Sequence, residues 1–516
     1  MKKMNTLAHS FRLHFVQKEE IYLRHFQLKF ITNAATIRWL TILKLFERKN
    51  RCSAAELAAE TKSTTRTITT DINDIATYFE KAIQIDSSYQ GYHFTIHKQE
   101  EYLEAKHRLI SQEIPFHIIE SIFSNRLCSL ESWAEEFHVS ESTIFRYLRK
   151  MQAVLNDYEL KISSNPVTLI GLEMNIRKFA LDFYYESEIT SQSVTPPIAI
   201  HDITVQFFKD YPELHHTCSL GEFNYFLWIS LERFEAGHTI HLAQTVKDLY
   251  GHSKEFRMFS KINDTIKTYY QTEFPFEELL YLFLLIISRR SLMQIKKEKQ
   301  FCQQYNYWSE IKLLSREFVT LYLSETNHWS REDTLIESFF TVAKIKQMLS
   351  PILNHHLYDL TLYVRHNYPN DLQDFQKFLQ THPSAATIWD EQTIEHLAVS
   401  LTLHVQTLKA TYWSETKKIA FLFEGSYFLG QFIKSSITKY ASQQVELYFP
   451  TLLEFSPEYL INHQIDLVIT NFTEYNSDYL DTVEVFPLKT YPTQEDWQKL
   501  LHTIQPFHSS ITVERP

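Results

Sequence analysis

The 516-residue sequence predicts a mainly α-helical protein of several domains. Two short β-hairpins are expected in its N-terminal third and a small α/β unit at its C-terminal end. Three observations carry this expectation. Glycine is scarce, 7 residues in all, among abundant Leu, Ile, Glu and Lys. A helix–turn–helix–hairpin pattern occurs twice in register. After about residue 406 the apolar period shifts from helical to strand-like segments alternating with helices.

Composition bounds the function classes. With 44% hydrophobic and 15% aromatic residues, the chain has ample material for sizeable cores. The glycine scarcity counts against nucleotide-binding enzymes, which use glycine to bring backbone close to phosphate. Cys52, Cys128, Cys218 and Cys302 are widely spaced and form no C-x-x-C pair. They predict neither a metal site nor a disulfide framework, and they fit a reducing cytoplasm. The start, MKKMNTLAHSFRLHF, lacks the apolar stretch of a signal peptide. The longest apolar run, 279-LLYLFLLII-287, is far short of the ~20 residues a membrane helix needs and is expected as a buried core helix. These features predict a cytoplasmic protein that is not membrane-bound; neither a cofactor nor enzymatic activity is expected of it.

The net charge of −11 is unevenly spread. Residues 1–172 hold 22 Lys/Arg and 20 Asp/Glu, and the remainder holds 29 and 42. The nearly neutral N-terminal third has room for a basic stripe that a partner such as nucleic acid would need.

The repeat lies there. The run 52-CSAAELAAETKSTTRTITTDINDIATYF-79 aligns with 128-CSLESWAEEFHVSESTIFRYLRKMQAVL-155. Ile68, Ile72, Ile75 and Phe79 occupy the positions of Ile144, Leu148, Met151 and Leu155, one face of a 3.6-residue helix in each copy. Leu57 matches Trp133. Thr64 and Ser140 precede these helices as N-caps, because a hydroxyl accepts from an otherwise orphaned backbone N–H. A short helix, a tight turn and a second amphipathic helix make a helix-turn-helix. Alternating residues follow each copy: Ile83 and Ile85, then Tyr92, Phe94 and Ile96 after a turn at Ser88–Gly91; and Leu160 and Ile162, then Val167 and Leu169 after Asn165–Pro166. Period two around a turn predicts two strands, and so a winged helix in each case.

The run VSESTIFRYL resembles the V-S-x-x-T-[IV]-x-R-x-L stretch of bacterial transcription factors. TTRTITTDINDI resembles the S-x-R-T-I-x-R-D-I-x-x-L stretch of winged helices in sugar-responsive regulators, departing from it at Thr69 and Thr70, where basic residues are usual. In such folds the second helix enters the major groove. The candidate DNA-binding residues are Thr64, Thr65, Arg66, Thr69 and Asn73 in the first copy. In the second they are Ser140, Ser142, Thr143, Arg146, Arg149 and Lys150. Arg146, Arg149 and Lys150 are the expected phosphate contacts, with Ser142 or Arg146 reaching bases.

From about 174 to 405 the pattern is helical throughout. The segment 223-FNYFLWISLERFEAGHTI-240 resembles a helix of PTS regulation domains (PRDs), with Arg233, Gly237 and Ile240 in the family spacing and Phe226 where the family has histidine. The run 401-LTLHV-405 resembles the L-T-L-H-I stretch that holds a phosphorylatable histidine. His404 is thus the leading phosphorylation candidate, and His201, His215, His216, His355 and His356 are weaker ones. Phosphorylation adds roughly −1.5 to −2 charges. The donor implied by the resemblance is HPr or another PTS phosphocarrier.

Beyond 406, strand-like runs at 419-IAFLF-423, 445-VELYF-449, 466-DLVIT-470 and 482-TVEVF-486 alternate with helices to about Tyr440 and at 496–504. This resembles EIIB domains of sugar phosphotransferase systems. Glu424 stands where those enzymes carry a nucleophilic cysteine, and a carboxylate does not replace a thiolate.

The module order resembles the Mga/AtxA family of virulence and carbohydrate-linked regulators. It implies an N-terminal segment at 1–35, winged helices at 36–98 and 99–172, PRD-like helical bundles at 173–290 and 291–410, and an EIIB-like α/β domain at 411–516. The implied function is a homodimeric DNA-binding transcriptional regulator, an activator in most relatives, controlled by histidine phosphorylation. The alternatives are a PRD-containing RNA-binding antiterminator and a catalytically inactive PTS-derived scaffold.

Overall fold

The structure is a computed structural model that describes residues 26–186, 196–214, 219–323, 329–412, 417–423, 425, 427–440, 445–451, 453–471 and 483–504. It is mainly helical, as expected. The chain divides into two compact units, Met1–Leu403 and His404–Pro516.

The first winged helix comprises α1 (Ala34–Lys49), β1 (Arg51–Cys52), α2 (Ala54–Glu60), α3 (Thr65–Phe79), β2 (Ile83–Ser88) and β3 (Gly91–Ile96). Its start signals are local. Asn33 caps α1 by accepting from Ala35 N and Thr36 N, and Ser53 and Glu56 form a capping box at α2. The three strands form an antiparallel sheet in the order β1-β3-β2, with Ile83 opposite Ile96 and Ser88 opposite Gly91. Gly91 is required at the turn: its φ is +116°, and a Cβ there would stand 2.5 Å from the Cys52 carbonyl oxygen. The short β1, which pairs Cys52 with Tyr92, was not expected from the sequence.

Ile68, Ile72, Ile75 and Phe79 line a core with Ile42, Phe46, Leu57 and Phe94. Phe46 stacks on Phe94 with ring centroids 5.1 Å apart. Tyr102, Ala105 and Leu109 of α4 (Gln99–Ser111) complete this core, which therefore reaches past the wing.

The second winged helix follows with α5 (Ile114–Phe123), α6 (Leu130–Glu136), α7 (Glu141–Leu155), β4 (Lys161–Ser164) and β5 (Val167–Ile170). Its hairpin pairs Ile162 with Leu169 and turns at a cis Asn165–Pro166 bond. Ile144, Leu148, Met151 and Leu155 are buried as the repeat predicts. Unlike the first core, theirs runs on without a break into the helices that follow.

The first of these helices, α8 (Glu173–Leu181), shows why. Arg177 is 3% exposed and clamps Glu278 through two bonds of 2.6 and 2.9 Å. Its Nε also reaches Glu173 at 3.0 Å. Arg233 also holds Glu173, at 2.9 and 2.7 Å. Each charge has a hydrogen-bonded partner, which a buried ion needs.

The middle is helical throughout the described residues, including α9 (Ile198–Asp210), α10 (Leu220–Glu235), α11 (Phe276–Ile287), α12 (Trp329–Leu349) and α13 (Glu391–Tyr412). The apolar run at 279–287 lies in α11, where Leu279 to Ile286 are buried. No helix is long and apolar enough to cross a membrane among the described residues.

The second unit contains β6 (Lys417–Leu422), α14 (Tyr427–Tyr440), β7 (Val445–Tyr448), α15 (Pro457–His463), β8 (Leu467–Thr470), β9 (Glu484–Pro487) and α16 (Gln494–Ile504). Among its described residues four strands run parallel, in the order β7-β6-β8-β9. Helices cover both faces of such a sheet, so β8 reads Leu-Val-Ile-Thr and is buried along its whole length. Only the short α15 was not anticipated.

Candidate nucleic-acid interface

The two second helices, α3 and α7, present different outward faces. On α7, Ser140 accepts from Thr143 N at 3.3 Å. Its hydroxyl also lies 2.8 Å from that of Ser142 and 2.9 Å from that of Thr143. Ser140 and half-buried Thr143 thus build the helix start, while Ser142 sits on the exposed side. Arg146 and Arg149 are exposed one turn apart on that same side. The Arg146 guanidinium lies 5.5 Å from the Tyr147 ring, and that of Arg149 lies 5.7 Å from the Phe145 ring. Both cations are steadied by a neighbouring ring without being neutralised by it.

Lys150 differs from its expected role. Its ammonium donates to the Ile31 carbonyl, tying α7 back to the segment before α1. A backbone oxygen 119 residues away in the chain leaves no trace in the local sequence. The geometry holds this lysine to the protein.

On α3, Thr64 caps the helix by accepting from Thr67 N at 3.1 Å. Thr65, Arg66 and Asn73 are exposed. Thr69 donates to the Thr65 carbonyl at 3.0 Å and lies 3.4 Å from the Tyr92 hydroxyl on the wing. Arg66 is the single cation on this helix. Asp71, inside the repeat, is buried and held by Arg38 at 2.7 and 2.9 Å and by the Trp39 indole at 3.0 Å. It positions α3 against α1.

Three exposed residues were missed by sequence reasoning. Phe145 is 51% exposed in the middle of the α7 outward face. Its position off the Ile144–Leu148–Met151 stripe was the available signal. Tyr89 is 95% exposed at the tip of the first wing. Beside it Arg51 donates to Gln90 at 2.5 Å.

The histidine candidates do not converge. His201 is exposed on α9, with Nδ1 3.3 Å from the Asn224 amide. His404 is half-buried on α13. His355 and His356 instead pack against His396, with ring centroids 4.3 and 4.7 Å away. Their Nε2 atoms are buried without a hydrogen-bond partner among the described residues. Burial pushes His355 and His396 down to about 4, and it holds His356 well below the ordinary histidine value. His215, His216 and Glu424 lie outside the described residues. Among the described residues no group of His, Cys, Asp or Glu is placed to hold a metal ion.

Residues 98–184, which contain α6, α7 and the second wing, match the family model of the Mga helix-turn-helix domain. This segment is similar to a Mga helix-turn-helix domain. A protein of Streptococcus pneumoniae serotype 4 named "Putative trans-acting regulator" is 21% identical over 464 residues, covering 84% of this chain and 91% of that relative. The "Capsule synthesis positive regulator AcpB" of Bacillus anthracis is 19% identical over 359 residues, 66% of this chain and 72% of its own. The Mga/AtxA likeness expected from the sequence is therefore shown, and these relatives are named as regulators rather than enzymes. The matched segment holds Ser142, Arg146 and Arg149, whereas Arg66 lies upstream of it.

Proposed function

We propose that the chain is a DNA-binding transcriptional regulator whose main contact is α7 of the Mga domain. One observation carries the reading: Ser142, Arg146 and Arg149 are exposed together on one side of a helix whose opposite side, Ile144, Leu148 and Met151, is locked into the core. Such a helix offers cations to phosphates and short polar groups to base edges without disturbing the fold. The first winged helix, with Arg66 alone on α3, supplies a weaker second contact. The wider reading is a homodimeric activator under phosphocarrier control, acting on virulence or carbohydrate-linked genes. It is supported by the name of the Bacillus anthracis relative, "positive regulator", and by the PRD-like residues Arg233, Gly237 and Ile240.

The test is duplex binding by the full chain across a salt series, wild type against Arg146→Ala/Arg149→Ala. Two lost phosphate contacts should reduce the slope of log K against log salt by about 2. The melting temperature should not change, since both side chains are exposed. An unaltered slope would remove α7 from the interface. Binding to RNA hairpins in preference to duplex DNA would favour the antiterminator reading.

A further inference from the structure

We infer that Phe145 is a base-reading residue that recognises the 5-methyl group of a thymine in the major groove. The inference rests on the duplex-binding reading and goes beyond it by naming what the helix selects. Ser142, Phe145, Arg146 and Arg149 stand at i, i+3, i+4 and i+7, so all four share one strip of α7. On the other side Ile144 and Leu148 are 0% and 3% exposed. Phe145, at 51%, therefore has no part in the core although Ile144 beside it is buried.

Its surroundings identify the occupant. The ring is flanked on the strip by Arg146 and Arg149, with the Arg149 guanidinium 5.7 Å from its centroid. A protein partner seated on the ring would have to desolvate both cations, whereas a nucleic-acid groove supplies phosphates and guanine acceptors for them. Within the major groove the base edges are polar donors and acceptors, and thymine alone carries an apolar group. Phe145 is five residues after the Ser140 cap, in the part of the helix that reaches base edges. An exposed ring there matches a thymine methyl. Arg149, whose guanidinium lies over the same ring at 5.7 Å, is placed to reach the adjacent base pair or its phosphate. The counterpart in α3 is Thr69, whose hydroxyl turns back to the Thr65 carbonyl, so the two helices read different sequences.

The experiment uses the full chain and duplexes enriched from a random-sequence pool. In each enriched duplex, thymines are replaced one at a time by deoxyuridine, which removes only the methyl. At one position the replacement should weaken wild-type binding about 4-fold, the worth of one methyl taken out of water. Phe145→Ala should bind the thymine and deoxyuridine duplexes equally, and Phe145→Leu should keep part of the difference. If duplexes are enriched but no replacement matters, or if the difference persists in Phe145→Ala, Phe145 does not read a thymine methyl and duplex binding still stands. If wild type enriches no duplex at any salt, the DNA reading falls and this inference with it.

Discussion

The Tyr158 hydroxyl donates to the Asp182 carboxylate across 2.7 Å, joining the turn between α7 and β4 of the second winged helix to the segment that follows α8. Asp182 also accepts from Lys178 one helical turn earlier. Nearby, Asn175 donates to the Tyr158 carbonyl at 3.1 Å and accepts from Ser350 at 2.5 Å. All of these groups are buried. The winged helix that carries Arg146 is thus bound through polar contacts to helices nearly two hundred residues further along. Tyr158→Phe removes one hydrogen bond from a buried carboxylate and should destabilise this region by about 1–3 kcal/mol. Asp182→Ala leaves Lys178 as a buried charge without its nearest counter-charge and should cost roughly 3–5 kcal/mol. Chemical denaturation followed by tryptophan fluorescence would rank them, and equal effects would contradict this arrangement.

The Arg38–Asp71 pair gives a contrast within one domain. Their side chains are 25% and 5% exposed, against 45% and 53% for the Lys49–Glu56 pair. Arg38→Ala leaves the buried Asp71 carboxylate with the Trp39 indole but without its counter-charge, and should lower the protection of α3 amides in native-state hydrogen exchange by about 2 kcal/mol. Lys49→Ala should change it by less than about 0.5 kcal/mol. A comparable loss in both would show that burial does not govern these pairs.

Acid should act through the histidine cluster. His355 and His396 are held down to about 4 by burial. Around His355 and His396, Asp390 opposes this effect and Lys178 adds to it; around His356, Lys178 and Lys346 add to it. A histidine whose folded value is depressed binds its proton more readily when unfolded. The stability it contributes is complete above about 6.5, the ordinary histidine value, and is lost as pH falls from there towards 4. His396→Phe keeps an aromatic ring against His355 and removes one titrating group. Melting temperatures at pH 7, 5.5 and 4.5 should therefore fall less steeply in this variant than in wild type. Parallel curves would mean that the cluster does not titrate with unfolding.

Phosphoryl transfer from HPr should label accessible rings only. His201 is exposed and His404 half-buried, whereas the Nε2 atoms of His355 and His356 are enclosed. A double His201→Ala/His404→Ala variant should lose the label and a His355→Ala/His356→Ala variant should retain it. Retention in the first variant, or loss in the second alone, would reverse this assignment.

Local patterns in the chain already determine a good deal. The α3 and α7 helices, their caps Thr64 and Ser140, and the hairpins at 83–96 and 160–170 were legible because caps, helical period and strand alternation involve residues a few positions apart. The four strands of the C-terminal unit were legible for the same reason, and so was the burial of the run at 279–287. Tertiary structure decided what distant residues do to one another. Lys150 reads as a free cation until Ile31 is brought to it, and Arg177 reads as a surface charge until Glu278, 101 residues on, encloses it. His355 and His356 look like any histidine pair until His396 packs against them. Whether a polar side chain faces water or a buried partner depends on which segments the fold brings alongside it, and one-dimensional periodicity does not contain that information.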